Sequence, residues 1–133
     1  MTSQIVMTLP PAWAEEMARR LPETASTATT FSVLFKSARR SLKVMAPYVD
    51  PTISALVAGA NARVKIVTTP CPGRPPRPNP VIERTAAICG HEVRYLNERR
   101  DRALVFQTHA KAVIADGGRA WLGSANLTDT SLH

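Results

Sequence analysis

The feature that most constrains the fold is the run Ala110-Lys111-Ala112-Val113-Ile114-Ala115, followed by Asp116-Gly117-Gly118 and then Arg119-Ala120-Trp121-Leu122. Its first part is small and apolar around one lysine. Its centre is a tight-turn signal, because Asp-Gly supplies the positive φ angles that two-residue hairpin turns demand. The spacing predicts a β-hairpin. Side chains alternate faces along a strand, so His109 and Lys111 should project together from the first strand, and Ser124 and Asn126 together from the second. Four polar groups are then expected to meet across the hairpin. A histidine beside an ammonium, a hydroxyl and a carboxamide offers one nucleophile or proton carrier and three donors for anionic oxygens. A phosphate ester is the natural guest. For a lone His-x-Lys pair, a satisfied histidine with a snorkelling lysine is the commoner reading.

The rest of the 133 residues suffices for one domain with a real core and hardly for two. Residues 1–10 read as a loosely held tail. Pro10-Pro11 precede a helix from Ala12 to Leu21, whose early acids, late bases and following Pro22 suit a helix dipole and a stop. Trp13, Met17 and Leu21 form a packing stripe. Residues 1–23 are accordingly expected to be an N-terminal helical extension. A second helix is expected from about Thr29 to Ser41, with Phe31, Leu34, Phe35 and Ala38 as its apolar face and Lys36, Arg39 and Arg40 on a solvated side. Leu42–Asp50 reads as a strand running into a loop. Pro51–Val57 reads as a helix capped by Asp50, and Val64–Thr68 as a second strand. Strand, helix and strand in that order predict a right-handed crossover and a parallel pair.

Pro70–Pro80 holds six prolines in eleven residues. It is a stiff loop, and it reads either as a plain connector or as a phosphate-tracking segment through Arg74 and Arg77. Val81–Cys89 is a further helix closed by Gly90, His91–Leu96 a third strand with an incidental histidine, and Asn97–Arg102 a charged turn carrying Arg99 and Arg100.

Lys and Arg outnumber Asp and Glu by 17 to 10, for a net charge of +7 and a pI near 10.3. That balance favours polyanionic partners, nucleic acid before anionic membrane surfaces. No apolar run approaches the roughly 18 to 20 residues that span a bilayer, and no signal peptide is read, so a cytoplasmic location is expected. Cys71 and Cys89 lack metal-type spacing and read as reduced structural thiols.

His109, Lys111 and Asp116, with Gly123-Ser124-Ala125-Asn126 further on, match the HxKx4D and GSxN signature of the phospholipase D superfamily, which this segment resembles. At roughly 5% usage per residue, six fixed positions coincide by chance on the order of 10⁻⁸ per starting point. The resemblance implies an α/β fold, a phospholipase-D-like sandwich around a mixed sheet, spanning residues 24–133. It also implies a catalytic set of His109, Lys111 and Asp116. His109 would attack phosphorus to give a phosphohistidine, with Lys111, Ser124 and Asn126 binding the non-bridging oxygens. Asp116, facing away from Lys111 by alternation, falls to orientation or turn structure. Neither metal nor other cofactor is implied. With one signature per chain, a homodimer is implied, bringing two histidines face to face. Relatives continue past the Asn with a helix and a strand, so this half-domain, ending at His133, is expected to be C-terminally short, with either Asp129 or a partner's carboxylate fixing the histidine or the chain being a truncated and weakened version of the fold.

Three functions fit these features. The first is a metal-independent nuclease acting on DNA or RNA, with Arg74, Arg77, Arg99 and Arg100 as candidate nucleic-acid contacts. The second is a phospholipid hydrolase or phosphatidyl transferase, for which no lipid-facing patch is found. The third is a non-catalytic nucleic-acid-binding accessory protein. Loose similarity to the phospholipase-D-like components of anti-phage systems such as DISARM adds defence-system proteins as possible partners.

Overall fold

Alternating burial organises the central sheet. β3 (Ser41–Met45) and β4 (Arg63–Thr68) send Leu42, Val44, Val64 and Ile66 inward and leave Lys43, Arg63 and Lys65 exposed, the period-two pattern of strands packed on one side. The computed structural model describes residues 3–8, 11–22, 24–71, 73, 76–100, 103–107 and 109–124. Five strands bond in the order β5-β4-β3-β8-β9, with β5 at Glu92–Tyr95, β8 at Ala112–Ala115 and β9 at Arg119–Leu122. β3, β4 and β5 run parallel, whereas β8 lies antiparallel to β3 and to β9. The sheet is mixed. Its parallel links are the helices α3 (Pro51–Ala58) and α4 (Pro80–Cys89), since parallel neighbours need a crossover.

Local chemistry sets these helix ends. Asp50 accepts from the N–H groups of Thr52 at 2.9 Å and Ile53 at 3.2 Å, with Pro51 in the first turn. Asn79 caps α4 in the same way, through the N–H groups of Val81 and Ile82 ahead of which Pro80 opens the helix, and Gly90 closes it at φ 68°. α2 (Thr27–Ser37) begins two residues before the expected start and stops four before the expected end, with Ser26 as its cap. It stops early because Ala38 is already extended and the amides of Arg39, Arg40 and Ser41 are taken by a carboxylate from elsewhere in the chain, Asp116.

One core unites these elements. Phe31, Leu34 and Phe35 of α2, Ile53 and Val57 of α3 and Ile82 of α4 pack on the sheet face made by Leu42, Val44, Val64, Ile66, Val113, Ala115 and Trp121. Phe31 meets the Trp121 ring edge-on, centroids 4.7 Å apart at 89°. Each large side chain so buried contributes about 1.5–3 kcal/mol, so the expected apolar face of α2 is the seam that holds helix layer to sheet.

Three expectations are corrected. The tail is not loose, because β1 (Ile5–Met7) pairs in parallel with β2 (Thr24–Ser26) and Thr8 Oγ1 hydrogen-bonds Thr27 Oγ1 at 2.9 Å. The stripe on α1 (Pro11–Arg20) misses the core, with Trp13 65% and Leu21 40% exposed. α1 lies beside β2, while α2, α3 and α4 already fill the inner sheet face. The charged turn is a strand. β6 (Asn97–Arg100) pairs antiparallel with β7 (Ala103–Gln107), with a register shift between Glu98 and Arg99. The strand formers Leu104, Val105 and Phe106 supply a template that composition at 97–102 does not reveal.

Candidate active site

The turn joining β8 and β9 comes first, since it fixes the hairpin. Asp116 and Gly117 have φ of 54° and 73°, and Gly118 N–H donates to Ala115 O at 3.1 Å. Positive φ at both central residues is the combination of a type I′ turn, which Asp tolerates better than most residues. The Asp116 carboxylate then reaches back to accept from Arg39 N–H at 3.0 Å, Arg40 N–H at 2.8 Å and Ser41 N–H at 2.9 Å. Its own N–H donates to Ser41 O at 2.8 Å. These amides, Ser41 foremost and then Arg39 and Arg40, hold the carboxyl down to about 2, because each bond favours the ionised form. Asp116 thus staples the hairpin turn to the start of β3. The whole of β8 separates it from His109 and Lys111. On the same side of the molecule a shallow depression of about 430 Å³ is lined by Ser32, Val33, Lys36, Ser37 and Arg39.

At the other end of β8 the chain leaves the ladder. His109 is exposed and Lys111 half-buried, both ahead of Ala112. Lys111 Nζ donates to His109 O at 2.9 Å, tying the ammonium to the histidine's own backbone. After the last ladder pair, Ala112 and Leu122, Gly123 N–H still reaches Lys111 O at 3.2 Å. Lys111 therefore lies opposite Gly123, and Ser124 falls one step beyond, in an exposed bend. Alternation alone does not put Ser124 on the face of His109 and Lys111; what gathers the three residues is their common place at one sheet edge. Asn126 and Asp129 lie outside the described residues.

Gly123 itself is required by packing. A Cβ there would sit 2.5 Å from Trp121 Cζ2 and 3.0 Å from Cη2. The indole occupies the space of a side chain, and it is wedged against Phe31, so the glycine beside Ser124 is bound to the core.

The edge holding His109, Lys111 and Ser124 is also where the parallel strands end, the usual ligand side of an open α/β sheet. The loop after β3 lies here, and so does the proline-rich loop after β4. Cys71 and Arg77 bridge that loop through Cys71 N–H to Arg77 O at 2.8 Å and Arg77 N–H to Cys71 O at 3.2 Å. Arg77 is therefore held at its base, whereas Arg74 lies outside the described residues. Arg99 and Arg100 belong to β6, which follows β5 at the same edge. One residue here was not singled out from sequence. Tyr48 is exposed between buried Pro47 and Val49, and its signal was an aromatic set between a proline and the helix-capping Asp50. Among the described residues no group of three His, Cys, Asp or Glu side chains is placed to hold a metal, and no helix is long and apolar enough to cross a membrane. Cys71 and Cys89 are free.

No protein-family model matches the chain, and no curated protein sequence does. Among solved structures, NucT from Helicobacter pylori, whose fold is phospholipase-D-like, matches with a TM-score of 0.63. The match covers 92% of this chain and 74% of NucT at 16% identity. The fold is phospholipase-D-like. In this phospholipase-D-like fold the HxK segment enters β8 at the ligand edge, and the Asp that completes the HxKx4D pattern leaves it at the far end.

Proposed function

We propose that the chain is a metal-independent phosphodiesterase that cuts DNA or RNA through a phosphohistidine on His109. The observation that carries this reading is the placing of His109, Lys111 and Ser124 together at the strand-end edge of a phospholipase-D-like fold. A ring nitrogen of His109 attacks phosphorus as the bond to the leaving oxygen breaks, and that oxygen takes a proton from the equivalent histidine of a second copy. Water, deprotonated by the same second histidine, then cleaves the N–P bond and restores His109. The Lys111 ammonium exchanges the His109 carbonyl for a non-bridging oxygen, and Ser124 and Asn126 hold the others as charge grows on them. Asp116 is the clamp of the turn. A homodimer supplies the second histidine, and the cytoplasm is the proposed location, with the basic surface facing nucleic acid. Similarity to defence-system proteins offers those systems as the setting.

The test is an acid-quenched search for phosphohistidine after mixing protein and oligonucleotide in EDTA. A trapped adduct at His109 is expected, with turnover reduced by about 10²–10⁴-fold or more in His109→Ala. Activity that chelator abolishes, or that survives in His109→Ala, overturns the reading. Mass in solution is expected to be that of two chains at micromolar concentration; a monomer with full turnover would remove the two-histidine scheme.

A further inference from the structure

We propose that Tyr48 is a stacking platform for an unpaired nucleobase, which makes single-stranded nucleic acid the substrate class of the His109 edge; this rests on the phosphodiesterase reading above. In the loop after β3, Ala46, Pro47 and Val49 are buried while Tyr48 is 50% exposed. The loop is pinned on both sides of it. Pro47 O accepts from the hydroxyls of Thr68 and Thr69, and Val49 O accepts from Asn79 Nδ2 at 3.0 Å. A ring on so firm a base loses little entropy when a flat partner covers it, and this lowers the cost of binding.

Its position selects the partner. The β3–β8 ladder ends at Met45 and Ala112. Tyr48 follows Met45 by three residues, and His109 precedes Ala112 by three, so both lie just past the same end of one antiparallel pair. Arg77, anchored by its bridge to Cys71, and Lys111 flank that edge with positive charge. Phosphate-binding groups beside a fixed aromatic face are the combination by which proteins hold single strands, the charge tracking the backbone and the ring receiving a base. Bases inside a duplex already stack on their neighbours and offer no free face, so the platform favours single strands.

The measurement is equilibrium binding, by fluorescence anisotropy in a His109→Asn background, of short oligo-dT and of an abasic oligomer of equal length. The quantity read is the ratio of the two affinities. Tyr48→Ala is expected to lower that ratio by about 5- to 150-fold, the range for losing one base–aromatic stack. Tyr48→Leu, which keeps apolar bulk without a π face, should fall as far, and Tyr48→Phe should retain the ratio. A ratio unchanged in Tyr48→Ala, a loss shared equally by both oligomers, or failure of oligo-dT to bind at all overturns the proposal. Chelator-resistant turnover by wild type with an unchanged ratio would leave the phosphodiesterase reading standing without the platform. A lowered ratio in a protein that forms no phosphohistidine would leave the platform without that chemistry.

Discussion

Asp116 and Gly123 are members of the signature whose local surroundings are structural. The carboxyl of Asp116 is held near 2, below the ordinary 3.8, by backbone amides. A group with a depressed folded value stabilises the fold above its unfolded value and loses that contribution as pH falls through the folded one. Asp116→Asn is therefore expected to melt below wild type at neutral pH, with the gap closing as pH falls from about 4 to about 2. Thermal denaturation across that range checks it. Well below the melting temperature its turnover should stay within a few-fold of wild type, in contrast to His109→Ala, since Asp116 is bound at the far end of β8. Gly123→Ala forces a methyl against the Trp121 ring. Overpacking of this kind costs about 1–3 kcal/mol, to be read as a shift in the urea midpoint.

Among the secondary-structure elements, helices and strands are joined by side chains whose partners are distant in sequence. His91, which sequence leaves incidental, accepts Val64 N–H through Nδ1 at 3.3 Å. Its Nε2 stands 3.1 Å from Val57 O. Through these two contacts the ring ties the end of α3 to the starts of β4 and β5. His91→Ala is expected to cost about 1–3 kcal/mol, because it strips the part-buried Val64 N–H of its acceptor, whereas Val57 O keeps the Ala60 N–H. Asp50→Ala removes the cap of α3 and should cost about 1 kcal/mol. Denaturant titration separates both from the active-site variants, which should melt as wild type does.

For the molecule as a whole, net charge decides more than any single ion pair. Glu92 bridges Lys65 at 3.3 Å and Arg94 at 2.6 Å on the exposed sheet face, and such exposed pairs contribute little to stability. The net +7 instead acts on polyanions. For single strands, contact with about three phosphates predicts a slope near −2 in a plot of log affinity against log salt. A flat plot would remove phosphate contacts from the account. Between 50 and 200 mM salt, in round figures, that slope is about a 16-fold loss, easily measured by anisotropy.

Elements with local signals were legible in the chain. Asp50-Pro51, Asn79-Pro80 and Gly90 mark helix ends because capping involves atoms only two or three residues apart, and Asp-Gly marks the hairpin because the backbone angles it needs are a property of those residues. The HxKx4D and GSxN spacing pointed to the fold for the same reason, as a pattern within one stretch. The parallel pairing of β3 with β4 was legible from the order strand, helix, strand, but other long-range pairings were not. The strand at Ile5–Met7, the arginine-bearing strand β6 and the exposure of Trp13 each depend on what another segment offers as a partner, and neither propensity nor periodicity encodes that partner. Likewise the expectation that Ser124 faces Lys111 extended an alternation past Leu122, where the ladder ends. The chain's own chemistry settled the caps and the turn, whereas three-dimensional packing decided that Asp116 is spent on the amides of Arg39–Ser41, that Gly123 yields its space to Trp121, and that Tyr48 and His109 lie past the same end of the β3–β8 pair.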